Sequence, residues 1–142
     1  MARFCTLCSG SSGNSTYIAA SDSAVLVDAG RSCKQLLAAM ESRGIEPRSI
    51  GAVLVTHEHN DHVRGLRVLL KKLGVPLYAT PEVLERLRWD GVLVPGQEAH
   101  PVEPGTRLTV GSLEIDSFDT PHDSAHSVGY RIRTPDGRRL AV

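Results

Sequence analysis

The chain has 142 residues, and its 16 basic side chains are balanced by 16 acidic ones, with an apolar content that describes one globular domain rather than a disordered tail. The lack of a basic excess argues against broad electrostatic capture of nucleic acid, although contact with one or two phosphates stays open. No segment approaches the ~20 apolar residues of a membrane span, and the opening Met1 to Cys8 is too short an apolar stretch for a signal peptide. A cytoplasmic location is expected, and Cys5, Cys8 and Cys33 fit a reducing compartment better than a disulfide framework.

Phe4 to Cys8, Thr16 to Ala20 and Ala24 to Asp28 read as three short strands of an antiparallel meander, separated by Gly/Ser/Asn and Ser-Asp-Ser turn signals. Between the first two, Ser9-Gly10-Ser11-Ser12-Gly13-Asn14-Ser15 is either a plain hairpin loop or a turn that presents backbone N–H groups to an anion. Ser12 and Asn14 are its candidates for touching a ligand or substrate. Ser32 can cap a helix to about Arg43, with Leu36, Leu37 and Met40 inward and Gly44 as its stop. The apolar run Gly51 to Val55 predicts a strand buried on both faces. A helix from about His62 to Leu73 follows, with Val63, Leu66, Leu69, Leu70 and Leu73 on one stripe ending at Gly74.

Leu77 to Ala79 is a further strand, and Pro81 opens a helix from Glu82 to about Arg88. Gly91 to Pro104 is rich in Gly and Pro and reads mostly as loop. Strands resume at Arg107 to Val110, Leu113 to Phe118, Val128 to Arg133 and Arg138 to Val142, the last two joined by Pro135-Asp136-Gly137. Strands alternating with helices, then a strand-rich segment, predict a layered α/β fold. Neither a repeat nor a linker interrupts it, so residues 1–142 are expected to form a single domain.

Directly after the buried strand, Thr56-His57-Glu58-His59-Asn60-Asp61-His62 packs three imidazoles and two carboxylates into a loop at a strand's carboxyl end, where open α/β sheets place ligands. His57 and His59 are two apart in extended chain, point the same way and can share one metal ion. Asp61 and His62 fall where the chain turns into a helix, which aims them toward a second ion. Imidazole with carboxylate suits zinc, manganese or iron better than calcium or magnesium. His122 would complete a three-histidine site with one coordination position open, the catalytic arrangement of zinc. Asp123 and His126 either orient a ligand, meet substrate, or are solvated loop residues. Asp28 is either a turn former or an acceptor of hydrogen bonds from the histidine loop, and the expected adjacency of the strand ends favours the second. Cys5 and Cys8 read as structural, and His100 and Trp89 as packing or surface residues.

Asp28, the His57 to His62 cluster and His122, in this order, resemble the metallo-β-lactamase fold superfamily, whose hallmark is H-x-H-x-D-H followed by a distant histidine. The run Leu7-x-Ser9-Gly10-Ser11-Ser12-Gly13-Asn14, and Pro121-His122-Asp123 leading to Val128-Gly129-Tyr130-Arg131-Ile132, resemble its nuclease-like branch typified by the WalJ (YycJ) exonucleases. The Gly-His-Thr-Pro-Gly turn of thioesterase-like members is absent. The resemblance implies an αββα sandwich, of which this α/β chain is the N-terminal part, with His57, His59 and His122 on one metal ion and Asp61 and His62 on the other. The family's bridging aspartate and last histidine would fall beyond Leu140-Ala141-Val142. We therefore expect a fragment of a longer protein or a chain that needs an oligomeric partner, with an uncovered sheet edge and apolar face. The implied activity is hydrolysis by two divalent ions, zinc or manganese, with both or only one expected to be retained by this chain alone, and with Asp61 helping to orient the attacking hydroxide. A phosphodiester of DNA or RNA is the leading substrate, and the membrane plays no part. Alternatives on the same fold are a hydrolase of a small ester, thioester or lactam, and a metal-binding fragment without catalysis.

Overall fold

A computed structural model describes residues 2–121 and 125–142. The opening meander forms as predicted: β1 (Arg3–Cys8), β2 (Ser15–Ala19) and β3 (Ala24–Val27) pair antiparallel in sequence order. Ser32 then caps α1 (Cys33–Ser42) in a reciprocal box with Gln35, each satisfying a backbone N–H that the first helical turn leaves unpaired. Beyond a short 3-10 turn at Pro47–Ser49, β4 (Ile50–Leu54) joins β3 in parallel, with Val27 opposite Leu54.

The helix expected over His62 to Leu73 is two helices, α2 (Asn60–Val63) and α3 (Leu66–Leu73). Gly65 lies between them, its N–H bonded to the Ala29 carbonyl at 2.8 Å. A Cβ at this position would collide with the Arg31 carbonyl oxygen. The break therefore comes from docking against the turn after β3, a tertiary constraint that periodicity cannot express. Gly74 ends α3 in left-handed backbone, as its position suggested.

The chain continues through β5 (Leu77–Ala79), α4 (Pro81–Trp89, capped by Thr80) and β6 (Ala99–Pro101). β6 corrects the reading of Gly91 to Pro104 as loop. Three residues, Ala-His-Pro, carry no alternation, and the strand exists through parallel pairing with β5 at the sheet edge, where proline is tolerated. β7 (Arg107–Val110), β8 (Leu113–Asp119), β9 (Val128–Arg133) and β10 (Arg139–Ala141) form a second, antiparallel sheet.

Side-chain alternation divides the core in two. Along β3, Ala24 and Leu26 face the helices with Leu36, Met40, Leu69 and Leu87, while Val25 and Val27 face the second sheet with Ile115, Val128, Tyr130 and Ile132. The layers run helix, sheet, sheet among the described residues, consistent with part of the expected sandwich. The outer face of the second sheet, however, is charged rather than apolar. Arg107 pairs with Glu114 at 3.2 Å and Arg131 with Asp116 at 3.1 Å, across neighbouring strands. The expected apolar face is thus corrected: Leu113, Ile115, Val128, Tyr130 and Ile132 point inward, while cross-strand ion pairs cover the outside and Arg131 lies over the Phe118 ring at 4.9 Å.

Tyr130 pins the two sheets together. It is fully buried, and its hydroxyl donates to the Val55 carbonyl just beyond β4 at 2.8 Å. Burial pushes its phenol well above the ordinary range. Tyr130→Phe strips that carbonyl of a donor and should cost about 1 to 2 kcal/mol. In thermal unfolding this is a fall in Tm of roughly 3 to 8 °C; an unchanged Tm would show that the bond carries no net stability.

Candidate metal centre

Because β3 and β4 run side by side in parallel, their carboxyl ends deliver Asp28 and Thr56 to the same place. Asp28 is 3% exposed and the only non-glycine residue with positive φ among those described, at 65°. A short polar side chain tolerates this left-handed backbone better than most. It directs the carboxylate across to the histidine loop, where Oδ1 accepts from the Thr56 N–H at 2.8 Å and Oδ2 from the Thr56 hydroxyl at 2.7 Å and His62 Nδ1 at 2.6 Å.

These bonds order the protons. The Thr56 hydroxyl has one hydrogen and gives it to Asp28, so at 2.9 Å from His57 Nδ1 it accepts. His57 and His62 both carry hydrogen on Nδ1, which turns the lone pairs of their Nε2 atoms to the other side of the rings. Their ring centroids are 3.8 Å apart, and those of His57 and His59 are 4.8 Å apart. Burial raises the Asp28 carboxyl above its ordinary pKa, against the lowering effect of the His62 and Thr56 hydrogen bonds. Burial alone would lower the His62 imidazole, but the hydrogen bond and charge of Asp28, with the charge of Asp61, hold it above the usual value.

His57, His59 and Asp61 each offer a ligand atom, and these atoms lie within 4.8 Å of one another. His62 Nε2 is 3.5 Å from Asp61 Oδ2. Asp61 is thus close both to the His57 and His59 pair and to His62. Two imidazoles and a carboxylate at this separation match the donor set of a divalent transition metal. Glu58 strengthens the fit: its Oε1 is buried without a hydrogen-bond partner among the described residues, an acidic atom that a nearby cation would compensate.

The loop backbone is held as firmly as its side chains. Asn14 N–H donates to the Asp61 carbonyl at 2.7 Å, Ala29 N–H to the His62 carbonyl at 2.7 Å and Gly30 N–H to the Asn14 carbonyl at 2.9 Å. The Asn14 amide nitrogen also lies 3.2 Å from Asp61 Oδ2 and 3.3 Å from His62 Nε2. A Cβ on Gly30 would strike the Asp61 carbonyl oxygen, so only glycine permits this approach.

The remaining sequence candidates divide. Ser12 accepts from Arg31 at 3.2 Å and lines a surface pocket together with Gly30 and Asp61. His126 joins Glu82 at 3.0 Å and Asp119 at 2.7 Å, and these two carboxylates raise its pKa. His122 and Asp123 lie outside the described residues. Sequence reasoning missed Thr56, whose hydroxyl relays Asp28 to His57, and Glu58, whose Oε2 accepts from the Ala125 N–H at 3.0 Å. The signal for Thr56 was its place between the buried strand and the first histidine.

Residues 9–142 match the family described as the Metallo-beta-lactamase superfamily. Exodeoxyribonuclease WalJ of Streptococcus pneumoniae is 37% identical over 137 residues, which cover 94% of this chain and 51% of that protein. Exodeoxyribonuclease YycJ of Bacillus anthracis is 33% identical over 139 residues, 98% of this chain and 52% of that protein. The chain spans about half the length of these curated relatives. A solved metallo-beta-lactamase from Cronobacter sakazakii superposes with a TM-score of 0.80 at 19% identity, covering 90% of this chain and 56% of the other. That likeness concerns architecture alone, but it is the architecture reached above from strand pairing and core alternation. A family match over nearly the whole length, on a fold of the same kind, decides the ancestry: this chain belongs to the metallo-beta-lactamase superfamily.

Proposed function

We propose that the chain carries the metal-binding part of a metal-dependent phosphodiesterase that cuts DNA or RNA, in a cytoplasmic setting consistent with the three free cysteines. The observation that carries this reading is that the His57, His59 and Asp61 cluster lies inside a stretch 37% identical to an exodeoxyribonuclease. In this proposal His57, His59 and His122 hold one zinc or manganese ion and Asp61 and His62 serve a second. Such ions supply Lewis acidity toward phosphoryl oxygens and lower the pKa of water. The protein groups do the positioning. Asp28 and Thr56 keep His57 and His62 in the Nδ1–H form, Asn14 restrains Asp61, and Asp61 orients the attacking oxygen of water. A homo-oligomer would be compatible with this chemistry. Among the described residues no helix is long and apolar enough to cross a membrane.

Protein supplied with zinc or manganese should shorten end-labelled DNA or RNA, and chelation should stop it. Cleavage of thioesters or lactams with no action on nucleic acid would refute the proposal. Metal counting tests the ligands. His59→Ala should lose metal while its circular dichroism stays native, whereas His126→Ala, removed from the cluster by its bonds to Glu82 and Asp119, should keep nearly all of it. Equal losses in the two variants would overturn the assignment. Gly30→Ala should lose both metal and at least ~2 kcal/mol of stability, because the Asp61 backbone must move; a variant with wild-type metal content and Tm would mean the loop adapts at no cost.

A further inference from the structure

Trp89 is the chain's single tryptophan, and it is 84% exposed at the end of α4. The helix buries Val83, Leu84 and Leu87 and turns Glu82, Glu85, Arg86 and Trp89 to the outside. Their spacing of i, i+3, i+4 and i+7 puts these four on one stripe. The upper end of the stripe reaches the metal loop: Glu82 bonds His126 at 3.0 Å, and the neighbouring Ala125 donates its N–H to Glu58, the residue between His57 and His59, at 3.0 Å. An open groove of about 640 Å³ follows the stripe, bounded by Ala125 at one end and by Arg88 and Trp89 at the other. From Glu82 to Trp89 is ~10 Å along the helix axis, about three base steps of ~3.4 Å.

We propose that Trp89 is a stacking platform for one base of a single-stranded DNA or RNA whose phosphodiester lies at the His57, His59 and Asp61 cluster; this rests on the nuclease reading above. Three observations favour a nucleic-acid strand over a second copy of the chain. One end of the groove, at Ala125, is a single hydrogen bond from Glu58 of the histidine loop. The indole is isolated, since the other large exposed hydrophobics among the described residues are Val68 and Val94, whereas a protein interface needs a contiguous apolar patch. Its immediate flank, Arg86 and Arg88, is basic and able to meet a phosphate. Arg86 is also engaged by Asp90 at 3.2 Å, and Glu82 and Glu85 line the same groove. Phosphate neutralisation therefore contributes little and stacking carries the affinity. Stacking is tolerant of sequence because every base has a π face. This accounts for how a chain of zero net charge would hold a polyanion.

The test uses metal-free protein in chelator, so that a fluorescein-labelled oligothymidylate is bound without being cut. Titration should quench the emission of Trp89, which is the only tryptophan reporter. By anisotropy, Trp89→Ala should raise Kd about tenfold, the loss of one stacked base, while Trp89→Phe keeps most of the affinity. The salt slope should be no steeper than about −1.4, the limit for two arginine contacts to a single strand. Wild-type affinity in Trp89→Ala would overturn the platform and leave the nuclease reading standing. A metal-loaded protein that neither binds nor cuts the strand would bring down both. Emission that shifts with protein concentration alone, together with a dimer that Trp89→Ala abolishes in sedimentation, would assign the indole to a second copy and overturn the proposal.

Discussion

The site depends on one buried carboxylate. Asp28 is almost sealed from solvent, and moving an ionised carboxylate out of water costs several kcal/mol unless it is paired and hydrogen-bonded. All three of its donors, the Thr56 N–H, the Thr56 hydroxyl and His62 Nδ1, belong to the segment that follows β4. The segment can satisfy Asp28 in few other positions. That single requirement sets the orientation of His62 directly and of His57 through the Thr56 hydroxyl. The parallel pairing of β3 and β4 makes the arrangement reachable, because it ends both strands at the same level.

A second constraint acts on the backbone. The histidine loop is held from three sides: by Asn14 of the first hairpin, by Ala29 of the turn after β3, and by the approach to β9, where Val128 N–H donates to the Thr56 carbonyl at 3.0 Å and Ala125 to Glu58. Each contact comes from a different part of the chain, so the loop's shape is over-determined before any ligand arrives. The serine and glycine run of the first hairpin gains its meaning here. Its contribution is Asn14, positioned against Asp61, while Ser12 stays at the surface with Arg31.

How much of this was legible follows from the range of each interaction. The His57 to His62 spacing pointed to a cluster of potential ligand atoms because its chemistry is local, and Asp28 could be paired with it because two buried strands had to end side by side. The strands of the first hairpins and of the second sheet, three to seven residues long, read correctly from their apolar content and the turn signals that bound them. Periodicity failed where tertiary contact decided the outcome. The apolar stripe runs unbroken from Val63 to Leu73, yet Gly65 interrupts the helix to meet Ala29. β6 is too short to show a period and too polar to look buried. The charged outer face of the second sheet was readable strand by strand in Glu114, Asp116, Arg131 and Arg133, but only the register that sets Asp116 opposite Arg131 turns those charges into pairs. Trp89 shows the opposite limit: sequence marks its bulk, and only the fold reveals that it stands in water at the end of α4.

Charge balance links the site to its proposed substrate. Asp28, Glu58 and Asp61 concentrate carboxylates around the imidazoles, with one Glu58 oxygen buried and uncompensated among the described residues. A centre built this way repels a phosphodiester as long as its carboxylates are unopposed, and the chain has no basic excess elsewhere to reverse the field. Divalent cations held by His57, His59 and Asp61 would change the local sign, since bound ions are the largest charges in such sites. The same acidic ligands that draw in the ions would therefore make seating of a phosphodiester at the cluster itself conditional on their presence, while contacts elsewhere on the strand are not. Affinity for the rest of the strand must then come from contacts that work without net charge, which is the role open to the exposed indole of Trp89.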